Sequence, residues 1–203
     1  MNFFSRHVRP LRSLAREMTF PPEIPVIETP RLLLRPFTSA DAAEVQRLAG
    51  VREVADTTGR LPHPYPDGAA AGWIGMHAPD WAAHRELALA ITLREDGVLM
   101  GSMGLVLDPA NLKAELGYWL GVPHWGQGFA TEAASALTDY AFRVLGLQRV
   151  QAHHFARNPA SGRVLLKTGM RREGTSPRAF LRNGRFEDVV FYGVIRRDWP
   201  DLG

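Results

Sequence analysis

No cysteine occurs in the 203 residues, which excludes disulfide cross-links, thiolate metal centres and a cysteine nucleophile. Any group transfer must therefore be direct or use another nucleophile. Lysine is nearly absent: Lys113 and Lys167 are the only two, all other basic residues being arginine, a bias read as genomic rather than as a recognition device. No run of 18 apolar residues and no signal-peptide core is present, so no membrane span and a cytoplasmic location are expected. Internal repeats and low-complexity segments are missing too. His153 and His154 are adjacent on a strand and face opposite sides, so they form no joint metal site, and no metal is expected.

What is present fits one globular domain with a sizeable core, at 45% hydrophobic and 22% charged residues. The formal charge of +3 is concentrated at one end: residues 1–18 hold Arg6, Arg9, Arg12 and Arg16 against Glu17 alone. Removing them from the 24 basic and 21 acidic side chains leaves a formally neutral body, so no direct nucleic-acid binding is expected, although a local basic patch for a ribosomal partner stays open. Phe4, Val8, Leu11, Ala15 and Met18 have near-helical spacing, but Pro10 interrupts it. Residues 1–22 are read as a basic, disordered extension upstream of a domain over 23–203, in preference to a membrane-surface or targeting segment.

Along that domain, Arg31–Arg35 reads as a first strand, and Ser39 starts a helix with an acidic first turn. Gly59–Asp67, with Pro62, Pro64 and Pro66, must be a loop, and a helix follows to about Met76. Leu87–Leu93 and Val98–Leu107 are strands joined by the hairpin signal Glu95-Asp96-Gly97. Further strands are expected at Lys113–Leu120, Arg149–Phe155 and Phe186–Ile195, with helices at Gly128–Leu145 and Pro159–Thr168 between them. The interleaving gives an α/β domain of three layers.

The densest chemical signal is His124-Trp125-Gly126-Gln127-Gly128-Phe129-Ala130-Thr131-Glu132-Ala133, directly after Ala114–Leu120. Two glycines one residue apart let the backbone turn tightly, and a helix opening near Gly128 presents unpaired N–H groups, an anion cradle. A plain strand-to-helix turn is the bland alternative. Gly128-Phe129-Ala130 is not the Gly-Lys-Ser/Thr of a P-loop, and Thr131 stands where a dinucleotide fingerprint needs a third glycine, so nucleotide hydrolysis and nicotinamide binding lose their main support.

This turn resembles the Gln/Arg-x-x-Gly-x-Gly/Ala signature of the GNAT acyltransferase superfamily, with Gly128 and Ala130 matching and Trp125 replacing the leading Gln or Arg. The resemblance is closer to the RimJ/RimL-type branch and runs from about Thr29 to Trp199. It is carried by Thr29-Pro30-Arg31-Leu32-Leu33-Leu34-Arg35-Pro36, Glu115-Leu116-Gly117-Tyr118-Trp119-Leu120 with the glycine turn, Asn158-Pro159-Ala160-Ser161 before Leu165–Met170, and Asn183-Gly184 flanked by strands. It implies a mixed, mostly antiparallel seven-stranded sheet, splayed at the acetyl-CoA site, with helices on both faces. It also implies acetyl-CoA as donor, held by Tyr118, Trp119, Leu120, Trp125, Gly126, Gln127, Gly128, Phe129, Ala130, Thr131, Asn158 and Ser161.

Direct acetyl transfer needs a neutral amine, a stabilised oxyanion and a protonated leaving thiolate. Backbone N–H groups around Gly117–Trp119 are the oxyanion donors if the strand opens there, as the resemblance implies. Glu115 is the candidate base, a carboxylate in an apolar strand on the face of Gly117 and Trp119, with burial expected to raise its pKa; pairing with a nearby arginine is the alternative. Asn158 is accounted for as an N-cap, with Pro159 at N1 and Ser161 at N3. By resemblance Asn158 also touches the cofactor and Ser161 protonates the thiolate, while Leu165 and Leu166 occupy the region where many relatives carry a tyrosine. His63, Tyr65, Phe180, Arg182 and Glu187 are candidates for the acceptor side, and either His153 or His154 for the amine channel. The expected activity is N-acetylation of a primary amine, foremost a protein N-terminal α-amine such as that of a ribosomal protein, by a monomer or homodimer. A small-molecule acetyltransferase and an acyl-CoA-binding module without turnover are the alternatives.

Overall fold

The computed structural model describes residues 18–200. The arginine-rich residues 1–17, and with them most of the expected extension, lie outside the described residues. Met18 and Phe20 already lie against the core, and Phe20 stacks on His84 with ring centroids 3.8 Å apart.

The elements in chain order are β1 Ile27–Glu28, β2 Leu32–Arg35, α1 Ala42–Ala49, α2 Arg52–Thr57, α3 Ala69–Ala82, β3 Glu86–Leu93, β4 Leu99–Asp108, β5 Lys113–Leu120, α4 Phe129–Arg143, β6 Arg149–Phe155, α5 Pro159–Lys167, β7 Arg171–Arg182 and β8 Arg185–Ile195. They build one sheet in the order β1-β2-β3-β4-β5-β6-β8-β7, antiparallel throughout except where β5 meets β6. The sheet has eight strands where seven were expected. The additional one is β1, whose two residues pair with Leu33 and Leu34; a segment that short between Pro25 and Pro30 carries no alternation to read. Helix α3 runs six residues past its expected end, through Pro79, because Trp81 is buried in the core and its indole N–H donates to the Pro21 carbonyl at 3.1 Å.

Helices α4 and α5 cover one face of the sheet, where Ala133, Ala134, Leu137, Ala141, Phe142 and Leu165 meet Leu105, Leu116, Val150 and Ala152. On the other face Val45, Leu48, Val54 and Ala70 of α1–α3 pack on Ala90, Leu99 and Trp119. Both faces are thus closed by apolar burial, and the three layers follow.

The feature that positions chemistry is where the sheet stops being continuous. Strands β5 and β6 pair only over Lys113–Glu115 and Arg149–Gln151, while β5 stays joined to β4 as far as Leu120. Beyond Glu115 the two parallel strands part, as the resemblance implied. In an antiparallel ladder directly opposed residues share a face, so Ala88, Gly104 and Gly117 form one row on the α3 side, flanked by the row Glu86, Val106 and Glu115. The middle row carries almost no side chains. Glycine is required at position 104, since a Cβ there would stand 2.4 Å from the Leu87 carbonyl oxygen, whereas at Gly117 it would meet nothing within 4 Å.

Candidate active site

The glycine turn has the conformation its composition called for. Gly126 and Gly128 hold φ of 75° and 84°, a left-handed backbone that side chains disfavour. Gly128 caps α4 without a side-chain bond, and the first helical hydrogen bond runs from the Glu132 N–H to the Gly128 carbonyl. The N–H groups of Phe129, Ala130 and Thr131 therefore point out of the helix end with no intrahelical acceptor. A Cβ at Gly126 would meet nothing, and one at Gly128 only the Arg31 guanidinium at 3.4 Å, so the space in front of the turn suits a phosphate group.

Long-range contacts fix this turn. Arg31 donates through Nε to Glu132 at 2.6 Å and through Nη1 to the Gln127 carbonyl at 3.1 Å, and its guanidinium lies 4.5 Å over the Phe129 ring. Glu132 also accepts from the Thr29 hydroxyl and the Arg31 N–H. Burial pushes its carboxyl up, but these donors together hold it below the ordinary carboxylate value. Trp125, at the position of the absent Gln or Arg, donates its indole N–H to the Leu120 carbonyl at 2.7 Å.

That contact shows which way β5 faces. The Gly121 N–H donates to the Met100 carbonyl, which continues the β4 ladder, and by alternation the odd-numbered residues of β5 bond β4. Leu116, Tyr118 and Leu120 then turn their N–H and C=O groups toward the gap. Of the expected Gly117–Trp119 donors, Tyr118 is the residue whose N–H faces the opened stretch.

Side chains from both walls meet in the same gap. The Tyr118 hydroxyl lies 2.7 Å from Ser161 Oγ on α5. Burial pushes the Tyr118 phenol up to about 12, against the opposing hydrogen bond with Ser161, so it stays protonated at neutral pH. Asn158 caps α5, its side chain accepting from the Ser161 N–H at 3.3 Å. On the α3 side, Glu115 Oε1 lies 3.2 Å from His153 Nδ1. The expected rise in the Glu115 pKa does not occur: the hydrogen bond with His153 outweighs burial and holds the carboxyl below its ordinary value. Its partner is that histidine rather than an arginine.

A continuous cleft of about 1000 Å³ runs through the opening. Its walls include Tyr65, Glu115, Tyr118, Trp119, Leu120, Trp125, Gly126, Gly128, Phe129, Ala130, Thr131, Asn158, Ser161 and Phe180, bringing together most of the residues singled out in the sequence. Gln127, His63, Arg182 and Glu187 do not line it. Gln127 turns its side chain to the Pro123 carbonyl, and His63 is exposed beside the Gly50 carbonyl. Arg182 donates to the carbonyls of Ala55, Gly59 and Leu61 and so tethers the loop over the cleft. Glu187 is 5% exposed and takes both its bonds from Arg157 Nε, at 2.9 and 3.0 Å. Trp73, His77, Glu86, Arg163 and Lys167 also line the cleft. Of these, Arg163 and Lys167 carried a legible signal, a basic i, i+4 pair on one face of α5.

The sequence model of the acetyltransferase (GNAT) domain matches residues 31–171. The Bacillus subtilis uncharacterized N-acetyltransferase YoaA is 33% identical over 173 residues, 85% of this chain and 97% of its own. The Escherichia coli ribosomal-protein-serine acetyltransferase is 35% identical over 89 residues, 44% of this chain and 50% of its own. The fold superposes on Mycobacterium smegmatis RimJ in complex with CoA-disulfide with a TM-score of 0.80 at 23% identity, covering 91% of this chain and 93% of that one. The opened strand and the left-handed glycine turn both lie within the matched residues, and the chain belongs to the GNAT acetyltransferase family as an acetyl-CoA-dependent N-acetyltransferase.

Proposed function

We propose that the acceptor is the N-terminal α-amine of a protein, of the kind ribosomal proteins present. The observation that carries this reading is the trough of Ala88, Gly104 and Gly117 on the α3 side of the opening. A floor whose largest side chain is the Ala88 methyl admits a peptide end with a small first residue, and the aromatic residues Tyr65, Trp73 and Phe180 of the same cleft supply apolar contact for the second and third residues of that peptide. The Escherichia coli relative that acts on a ribosomal protein supports the same direction.

In this reading the donor's phosphates rest on the N–H groups of Phe129, Ala130 and Thr131, with Arg163 and Lys167 adding positive charge along α5. Tyr118 N–H receives the charge that develops on the acetyl oxygen. A phenol is a better donor than an alcohol, so Tyr118 donates to Ser161 Oγ and leaves the serine hydrogen to point at the departing thiolate. The Glu115 and His153 pair receives the amine's proton. No covalent enzyme intermediate is needed.

The deciding experiment measures CoA release from acetyl-CoA by the purified protein, with products identified by mass, across short peptides starting with alanine or serine and a panel of small amines. Acetylation of a peptide α-amine is the expected result. Activity confined to a small amine transfers the function to metabolite or drug acetylation, and CoA binding without turnover on any acceptor overturns catalysis altogether.

A further inference from the structure

On its α3 side the gap between β5 and β6 holds one titratable side chain from each strand, Glu115 and His153, and they are not equivalent. Gln151 is paired with Glu115 in the parallel register, and His153 follows it by two residues on the same face. Continued past its last pair, that register sets His153 across the gap from Gly117, level with the row next to Tyr118, whereas Glu115 lies one row back next to Val106. We propose that His153 is the group that takes the proton from the attacking amine, and that Glu115 is the positioning carboxylate behind it. This deepens, and rests on, the acetyl-transfer reading above.

Hydrogen-bond chemistry sets the tautomer. An ionised carboxylate only accepts, so Nδ1, 3.2 Å from Glu115 Oε1, carries the hydrogen, and the Nε2 lone pair is left for the cleft that His153 lines. Glu115 is committed elsewhere as well, its Oε2 facing the Gln151 amide at 3.5 Å. A carboxyl held below its ordinary value is a weak proton acceptor at neutral pH, while a neutral imidazole offers a nitrogen lone pair. The surroundings add little competing charge. On β8 the neighbour is Phe191, with ring centroids 5.9 Å apart; the loop after α2 brings Arg60, whose charge is felt at Glu115; and Arg149, further back on β6, is paired with Glu173. His154 also lines the cleft but from the opposite side of the sheet, buried, with Nδ1 2.8 Å from the Phe155 carbonyl oxygen.

The step balances. The neutral amine's lone pair forms the C–N bond while the carbonyl pair moves onto oxygen, toward Tyr118 N–H. One N–H proton passes to His153 Nε2, the imidazolium being stabilised by Glu115. The oxygen pair re-forms C=O, the C–S bond breaks with its electrons on sulfur, and the thiolate takes one proton from the Ser161 side. The imidazolium returns its proton to water and Ser161 regains one from water, so the protein ends as it began, with one proton gone from nitrogen and one arrived at sulfur.

The test uses His153→Gln and Glu115→Gln with the best amine acceptor, measuring kcat and KM across the neutral range, together with ¹⁵N-histidine NMR of the uncomplexed protein. His153→Gln should lower kcat by about 10²–10³-fold and abolish the acid limb of the profile, with the acetyl-CoA KM within about twofold. Glu115→Gln should cost about tenfold, keep the acid limb, and release the Nδ1–H tautomer that dominates in the wild type. Wild-type kcat and acid limb in His153→Gln, with both lost in Glu115→Gln, overturns the assignment and returns the base to Glu115. An Nε2–H tautomer in the wild type overturns it regardless of turnover. If both variants stay active while the reaction itself is confirmed, the assignment fails and the acetyl-transfer reading survives.

Discussion

Replacing Gly117 by alanine or valine is expected to make the protein more stable and less active at once. Gly117 sits mid-strand without the positive φ that demands glycine, and a Cβ there meets no atom within 4 Å. Removing the entropy that glycine adds to the unfolded chain stabilises by about 0.5–1 kcal/mol, which in a domain of this size raises Tm by about 1–4 °C. The same atoms occupy the trough in front of His153. Valine should lower kcat/KM for the acceptor by about 10²-fold through misplacement of the amine, while CoA affinity stays unchanged because the donor cradle belongs to α4. Gly104, in the same row, provides the opposite sign: its added Cβ falls 2.4 Å from a backbone oxygen of β3, so Gly104→Ala should cost about 1–3 kcal/mol. Thermal melts, acceptor kinetics and calorimetric CoA titration read the three effects separately. A lower Tm in Gly117→Ala, or wild-type acceptor kinetics in Gly117→Val, would refute the reasoning.

Three other perturbations follow from the geometry. Gly128→Trp forces a side chain into the left-handed turn and the space before the free N–H groups, and calorimetry should detect no CoA binding; retained affinity would remove the turn from the donor site. Tyr118→Phe removes the 2.7 Å contact with Ser161 at a cost of about tenfold in kcat or less, with a smaller loss for an acetyl thioester of a more acidic thiol; equal loss for both donors would make the hydroxyl merely structural. His77 is buried with neither ring nitrogen partnered, and burial pushes it down from 6.5 to about 4. The unfolded chain therefore binds a proton there that the fold refuses. Stability present above pH 6.5 should fall by about 2–3 kcal/mol as the pH drops toward 4, and His77→Leu should flatten that slope in urea titrations.

The glycine turn, the strand before it and the capped start of α5 were legible because their signals are local. A glycine spacing, a strand directly before it and an Asn-Pro helix start are all written within a few residues. Strand β7 was less so: it is largely exposed, contains Pro177, and breaks register between Ser176 and Phe180 with Arg178 at φ 52°, so no alternation survives. Helix α2, at six residues, is too short to show a period. The partners of Glu115, Tyr118, Arg31 and Glu187 lie on other elements, and only the folded topology brings them within bonding distance. That is why the sign of the Glu115 shift was misjudged: burial was visible in the sequence, and the imidazole opposite was not.

An opening that passes through a sheet has two mouths. One is framed by α4 and α5, the other by α3 and the loop tethered by Arg182, and no residue of either frame belongs to the other. On the proposed reading, donor and acceptor are loaded and released without sharing a doorway, and selection can reshape one frame while the other keeps its ligand. The same arrangement favours a bridged inhibitor: CoA joined through the gap to an acceptor fragment binds both mouths as one molecule, gaining about 10²–10⁴-fold over either half when the linker matches the span.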